Sequence, residues 1–283
     1  MVCKLMIQLI REYLLAVQFF TRIPITGRLA DWVGYSPEQL RASAAHFPGV
    51  GLVVGAVAAG VFTGVQALLP ASTFTPLLAA ALSTVATVLL TGGFHEDGLA
   101  DVADGLGGSY DRQGALEIMK DSRVGAFGAL ALVLALLCKV ALLAILASTE
   151  NMSLEADDEQ WAGWTIAAAL VLGHVVSRGL PLLLIRWLPH IGDIARSKSK
   201  PLADTISSGA LVMGFAWCFI ALAVGLLALD AITLIVSCSF SALALLWMAR
   251  IFKRRLQGFT GDCLGATQQV CEIAFYFGLA VSL

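Results

Sequence analysis

The chain has 283 residues, 58% of them hydrophobic and 13% charged, with a formal net charge of −2. Soluble domains carry about a quarter charged residues, so this composition and a mean hydropathy of +0.84 exclude an ordinary soluble domain and point to a polytopic membrane protein. The six cysteines form no CxxC pair, which argues against a disulfide framework or a zinc site.

Residues 5–20 are apolar, but Arg11 and Glu12 sit near the middle. A helix lying in the membrane interface is expected there, with a crossing as the alternative. The same two charges, and the lack of a small-residue cleavage site, argue against a cleavable signal. Seven apolar stretches then follow, at about 47–69, 74–94, 125–148, 161–188, 209–229, 231–252 and 266–283. Each suits a helix crossing a hydrocarbon layer of about 30 Å. The fold expected is an all-α polytopic bundle of about seven transmembrane helices plus an N-terminal interfacial helix. It forms a single transmembrane catalytic domain over 1–283, with 1–46 cytoplasmic or interfacial and 95–124 a cytoplasmic catalytic segment. The short first-to-second and fifth-to-sixth connections predict antiparallel neighbours.

Placing the N-terminus in the cytoplasm puts Lys4, Arg22, Arg41, Lys120, Arg123, Arg196 and Arg254 on one side. Of the 18 Lys and Arg, only Lys139 and Arg178 fall inside spans; all the others share that side, as the positive-inside rule requires. The opposite loop at 150–160 is acidic, and Trp161, Trp164 and Trp187 suit interfacial anchoring. Gly49, Gly51, Gly55 and Gly60 in the first span permit close helix approach.

The chemistry concentrates in one polar segment. Asp97, Asp101 and Asp104 are spaced i, i+4, i+7, one narrow stripe on a helix, about 10 Å long. Like charges so placed repel, and a divalent cation with oxygen ligands neutralises them best. A solvated acidic loop paired with Arg112, Lys120 and Arg123 is the bland alternative. Glycines surround the stripe, and Lys120-Asp121-Ser122-Arg123-Val124-Gly125 follows, offering two cations for phosphate oxygens, a hydroxyl and a fourth carboxylate. Carboxylates followed by a basic pair suit metal-dependent transfer of a phosphoryl-linked group. Asp262, in Gly261-Asp262-Cys263, is a further ligand or base, or else a helix cap. Arg22 ends the N-terminal helix, placed to clamp a phosphate or to meet lipid headgroups. Within the spans, Arg178 and Glu272 are expected to pair; with Lys139 and His174 they are what a transporter would use.

Gly92-Gly93-Phe94-His95-Glu96-Asp97-Gly98-Leu99-Ala100-Asp101-Val102-Ala103-Asp104-Gly105 resembles the signature of the cobalamin-5'-phosphate synthase (adenosylcobinamide-GDP ribazoletransferase) family, as does Lys120-Asp121-Ser122-Arg123-Val124-Gly125. Phe20-Thr21-Arg22-Ile23-Pro24 and Thr260-Gly261-Asp262-Cys263 are similar to its flanking motifs, in the same order. The resemblance implies transfer of the adenosylcobinamide-phosphate group of adenosylcobinamide-GDP to alpha-ribazole or its 5'-phosphate, with release of GMP. It implies one or two Mg2+ ions, and a multi-pass protein of the cell inner membrane whose active site faces the cytoplasm. Asp97, Asp101, Asp104 and Asp121 would then be metal ligands, with Lys120, Ser122, Arg123 and Arg22 on the substrate. Asp104, Asp262 or His95 would serve as the catalytic base. Membrane lipid, a second copy or other corrinoid enzymes are the partners compatible with it, and nucleic acid is not expected. A CDP-alcohol phosphotransferase shares part of the acidic motif but expects an Ala-Arg pair where Leu106-Gly107 stands. A corrinoid transporter or complex subunit is the alternative of a different class.

Overall fold

The computed structural model describes residues 2–154, 164–191 and 205–282, and is 82% helical, with no strand among them. In chain order the helices are α1 (Val2–Phe20), α2 (Gly27–Val33), α3 (Pro37–Ser43), a 3-10 turn (Ala44–His46), α4 (Phe47–Leu68), α5 (Thr75–Thr91) and α6 (Phe94–Gly108). Then come α7 (Arg112–Ile118), α8 (Ala126–Leu154), α9 (Trp164–Gly179), α10 (Pro181–Trp187), α11 (Ser208–Gly225), α12 (Ala231–Arg255) and α13 (Gly261–Ser282). Local chemistry explains many of the starts. Proline occupies the first turn of α3, α4, α5 and α10, where its missing N–H costs nothing. Ser36, Asp111, Ser207 and Asp230 cap their helices by accepting from backbone amides.

Five helical runs are long and apolar enough to cross a membrane: 37–68, 126–149, Trp164–Trp187, Ser208–Gly225 and Ala231–Arg255. A sixth results if α5 and α6, bent 91° to each other, count as one broken span. Seven crossings are therefore not reached on length and composition. The shortfall lies in α13, which is helical where the last span was expected but carries Gln268, Gln269 and Glu272. These are buried, because α13 packs against α12, α6, α9 and α8 and shows its polar side chains to protein instead of lipid. The α1 helix is not among the runs apolar enough to cross. It buries Glu12, Leu15, Ala16, Val17 and Phe20 while Leu5, Met6 and Ile10 stay exposed. The basic residues Arg196, Lys198 and Lys200, the acidic stretch 155–160 and Trp161 lie outside the described residues.

Small residues set the closest helix approach. A Cβ on Gly51 would overlap the His174 backbone, and one on Gly55 the backbone of Val171, so α4 and α9 are in near-backbone contact. Gly60 faces open space and takes no part. Such contact supplies dispersion and excludes lipid where the hydrophobic effect gives helices no reason to associate. The α4–α5 pair are neighbours as expected. The fifth-to-sixth pair are not: α11 packs on α9, α4 and the 3-10 turn, while α12 packs on α13. A short connection brings helix ends together without forcing the helices side by side.

Candidate active site

The acidic helix starts at a sharp corner. Gly92 and Gly93 end α5 and open α6 in the left-handed region, at φ 71° and 69°, a conformation that glycine alone adopts cheaply. The Arg22 guanidinium lies across Gly92, in the space a Cβ would need, and the Arg22 amide donates to the Leu90 carbonyl at 2.7 Å. A half-open cleft of about 460 Å³ results, lined by Gln18, Phe19, Arg22, Gly92, Gly93 and Asp97 among others. The Arg22 motif and the acidic motif, distant in sequence, thus share one cleft.

The three stripe carboxylates descend from solvent into the protein. Asp97 is exposed, Asp101 half-buried and Asp104 buried. Asp104 accepts hydrogen bonds from the Gly125 amide (2.7 Å) and the Gly128 amide (2.8 Å), one on each oxygen. It caps the first turn of α8 from another helix, where carboxylates are favoured. A Cβ at Gly125 or Gly128 would strike the Asp104 carboxylate. The residue therefore docks α8 onto α6.

Asp262 joins from the other end of the chain. Gly98 lies where α6 crosses the start of α13, and a Cβ there would come 2.8 Å from the Asp262 carbonyl oxygen. The loop before α13 is pinned by backbone hydrogen bonds from Phe259 to Pro189 (3.0 Å) and from Ile191 to Phe259 (2.9 Å). The Thr260 hydroxyl donates to Asp262 at 3.2 Å. Burial, then the charges of Asp262, Asp97 and Asp104, push the Asp101 carboxyl up to about 7. Burial, helped by Asp97 and opposed by the Thr260 hydroxyl, also raises the Asp262 carboxyl from its ordinary value. Like charges held together against burial suit a cation with hard oxygen ligands. Among the described residues no three His, Cys, Asp or Glu side chains stand close enough to hold a metal.

The remaining expected residues are placed differently. Asp121 and Arg123 face each other, with Arg123 Nε and Nη2 donating to the carboxylate at 3.0 and 2.5 Å. That bond holds the Asp121 carboxyl down to about 2. The fourth expected ligand and a cation expected to grip phosphate are thus engaged with one another on an exposed turn, which also carries Lys120 and Ser122. This turn is tied to the site through the Gly125 amide, which donates to Asp104. His95 is 1% exposed and stacks on Phe47 with ring centroids 5.6 Å apart. Two residues before Asp97, it sits about 200° round the helix and points away from the cleft into a small apolar cavity. Burial, with Arg178 nearby, lowers its pKa well below the usual value, so the ring is neutral.

One supporting residue escaped the sequence reading. Arg255 Nη2 donates to the carbonyls of Leu106 (3.1 Å) and Ser109 (2.6 Å) and closes the C-terminal end of α6, as cations at helix C-termini do. In sequence it is only the last of three basic residues ending a span, a pattern that topology alone explains.

Comparison with known proteins places the whole sequence in one family. Residues 12–280 match the sequence model described as cobalamin-5-phosphate synthase. A protein of Polaromonas naphthalenivorans named adenosylcobinamide-GDP ribazoletransferase is 73% identical over 278 residues, covering 98% of this chain and all of that one. Proteins of the same name from Albidiferax ferrireducens and Leptothrix cholodnii are 58% and 43% identical, covering 98% and 95% of this chain and 100% and 94% of their own lengths. No solved structure matches the chain. Matched from residue 12 to 280, and 73% identical to a named relative over nearly its whole length, the chain belongs to the cobalamin-5-phosphate synthase family of transferases.

Proposed function

We propose that this chain transfers the adenosylcobinamide-phosphate group of adenosylcobinamide-GDP to alpha-ribazole or its 5'-phosphate, at the cytoplasmic face of the cell inner membrane. The observation that carries this reading is that Arg22 and Asp97 line one cleft at the α5–α6 corner, with Asp101 and Asp262 clustered behind Asp97. A ribose hydroxyl of the acceptor attacks the cobinamide-linked phosphorus. The new oxygen–phosphorus bond forms as the bond to the GMP oxygen breaks, and the hydroxyl proton leaves for a carboxylate or solvent.

Asp97, Asp101 and Asp262 would hold Mg2+, an ion that suits an all-carboxylate donor set. When bound it supplies charge stabilisation at the phosphorus and on the leaving phosphate. Arg22 faces the same cleft, and its fork of donors matches phosphate oxygens. Asp104 is engaged by two amides and His95 points elsewhere, so neither is placed to take the proton; a carboxylate of the Asp97, Asp101 and Asp262 group left free by the ion would take it. Arg123 would reach substrate once its pairing with Asp121 opens.

Purified protein with Mg2+ is expected to release GMP from adenosylcobinamide-GDP only when alpha-ribazole is present. No release, with turnover of a CDP-linked lipid alcohol instead, would move the chain to phosphatidyl transfer.

A further inference from the structure

The buried interior of the bundle holds charge that the reaction does not use. Lys139 on α8 pairs with Glu272 on α13 at 2.6 Å, with the two side chains 3% and 1% exposed. The expected Arg178–Glu272 bond is not made. Arg178 Nη1 donates instead to His174 Nδ1 and to the His174 carbonyl, each at 3.0 Å. The same His174 Nδ1 also lies 3.3 Å from Glu272 Oε2, so Glu272 stands between Lys139 and His174. Glu272 also accepts from Gln268 at 2.7 Å and from the Tyr276 hydroxyl at 3.3 Å.

From Glu272 the hydrogen bonds continue out of the interior. Gln268 Nε2 donates to Glu272 and to Ser177. Gln269 Nε2 donates to Gln268 Oε1 at 3.0 Å and to Glu96 Oε1 at 3.0 Å. Glu96 directly precedes Asp97 on α6. Its other oxygen is buried with no hydrogen-bond partner, so Gln269 is the one donor holding this carboxylate among the described residues.

The C-terminal half of α6 is fixed twice, by Asp104 on α8 and by Arg255. The N-terminal half, which carries Asp97 and Asp101, begins at two left-handed glycines and crosses α13 at Gly98 without a side chain. His95, stacked on Phe47, and the close crossing at Gly98 hold this half by packing, and the Gln269–Glu96 bond is its polar tie to α13. We propose that Glu96 and Gln269 are positioning residues, and that the chain Lys139–Glu272–Gln268–Gln269–Glu96 seats the N-terminal half of α6 on α13 and thereby holds Asp97 at the cleft with Asp101 behind it. The anchor suits the task, because breaking any link strands a polar group in an environment without water.

The kinetic part of the test rests on the proposed reaction, and the exchange part does not. Gln269→Leu and Glu96→Leu are each expected to lower kcat for GMP release by roughly tenfold to a hundredfold, the scale of small misplacements of reacting groups, with KM little changed. The double variant should lose no more than either single, since both cut one link. Glu96→Gln should keep most activity, because its amide oxygen still accepts from Gln269. Hydrogen exchange at 94–101 should quicken in both leucine variants while 112–118 stays as in the parent. Unchanged exchange at 94–101, or losses that multiply in the double variant, would overturn the proposal. Absence of GMP release from the parent protein would instead overturn the reaction assigned above, and the exchange result would still decide this one.

Discussion

Glu272, deep among the helices, has Lys139 at 2.6 Å and hydrogen bonds from Gln268 and Tyr276. Asp101, half-buried on α6, has Asp262, Asp97 and Asp104 as its charged surroundings. Charge is most costly in the first place and cheaper in the second, yet the fold completes the first and leaves the second short of positive charge. A buried carboxylate with its partners in place is structure. A cluster of carboxylates short of counter-charge is a binding site for whatever brings that charge.

The largest test of this contrast is Asp101→Asn. GMP release should fall by about a thousandfold, the scale on which lost charge stabilisation at a reacting centre acts. The thermal midpoint in detergent without divalent cations should hold or rise, because one of several like charges is gone. A lower midpoint would show that Asp101 is a structural residue like Glu272. Glu272→Leu should do the reverse, destabilising by about 3–5 kcal/mol by leaving Lys139 charged and alone. Adding Lys139→Met should recover much of that loss, read by unfolding of the single and double variants.

Asp104→Ala lies between the two cases. It leaves the Gly125 and Gly128 amides without acceptors and should cost about 1–3 kcal/mol, with activity falling as the start of α8 shifts; equal activity with reduced stability would make Asp104 purely structural. The smallest effect is expected from Gly92→Ala, at about 1–2 kcal/mol for a left-handed residue with a Cβ. Because that Cβ displaces Arg22, KM for adenosylcobinamide-GDP should rise more than kcat falls.

Much of the fold was legible because apolar length and charge alternation are strong signals: the expected spans coincide with α4, α5, α8, α9 with α10, α11, α12 and α13 to within a few residues, apart from the longer extension of α8. What composition could not tell was which helix faces lipid. Gln268, Gln269 and Glu272 count against a span in a hydropathy window, yet they are buried on a helix that packs against four others. The Asp stripe was legible as helical spacing. Its division of labour was not, because the amides that engage Asp104 belong to Gly125 and Gly128, and a backbone donor leaves no trace in residue type. Likewise nothing in the spacing shows that Asp121 faces Arg123, or that Asp262 lies against Gly98.

Titration of Mn2+, as a spectroscopic stand-in for Mg2+, into detergent-solubilised protein tests the central claim most directly. Parent protein should bind the ion, Asp101→Asn and Asp262→Asn should each weaken binding by about tenfold or more, and Asp121→Asn should leave it unchanged. Undiminished binding in Asp101→Asn, or a loss confined to Asp121→Asn, would contradict the account and move the metal to the Lys120–Gly125 turn.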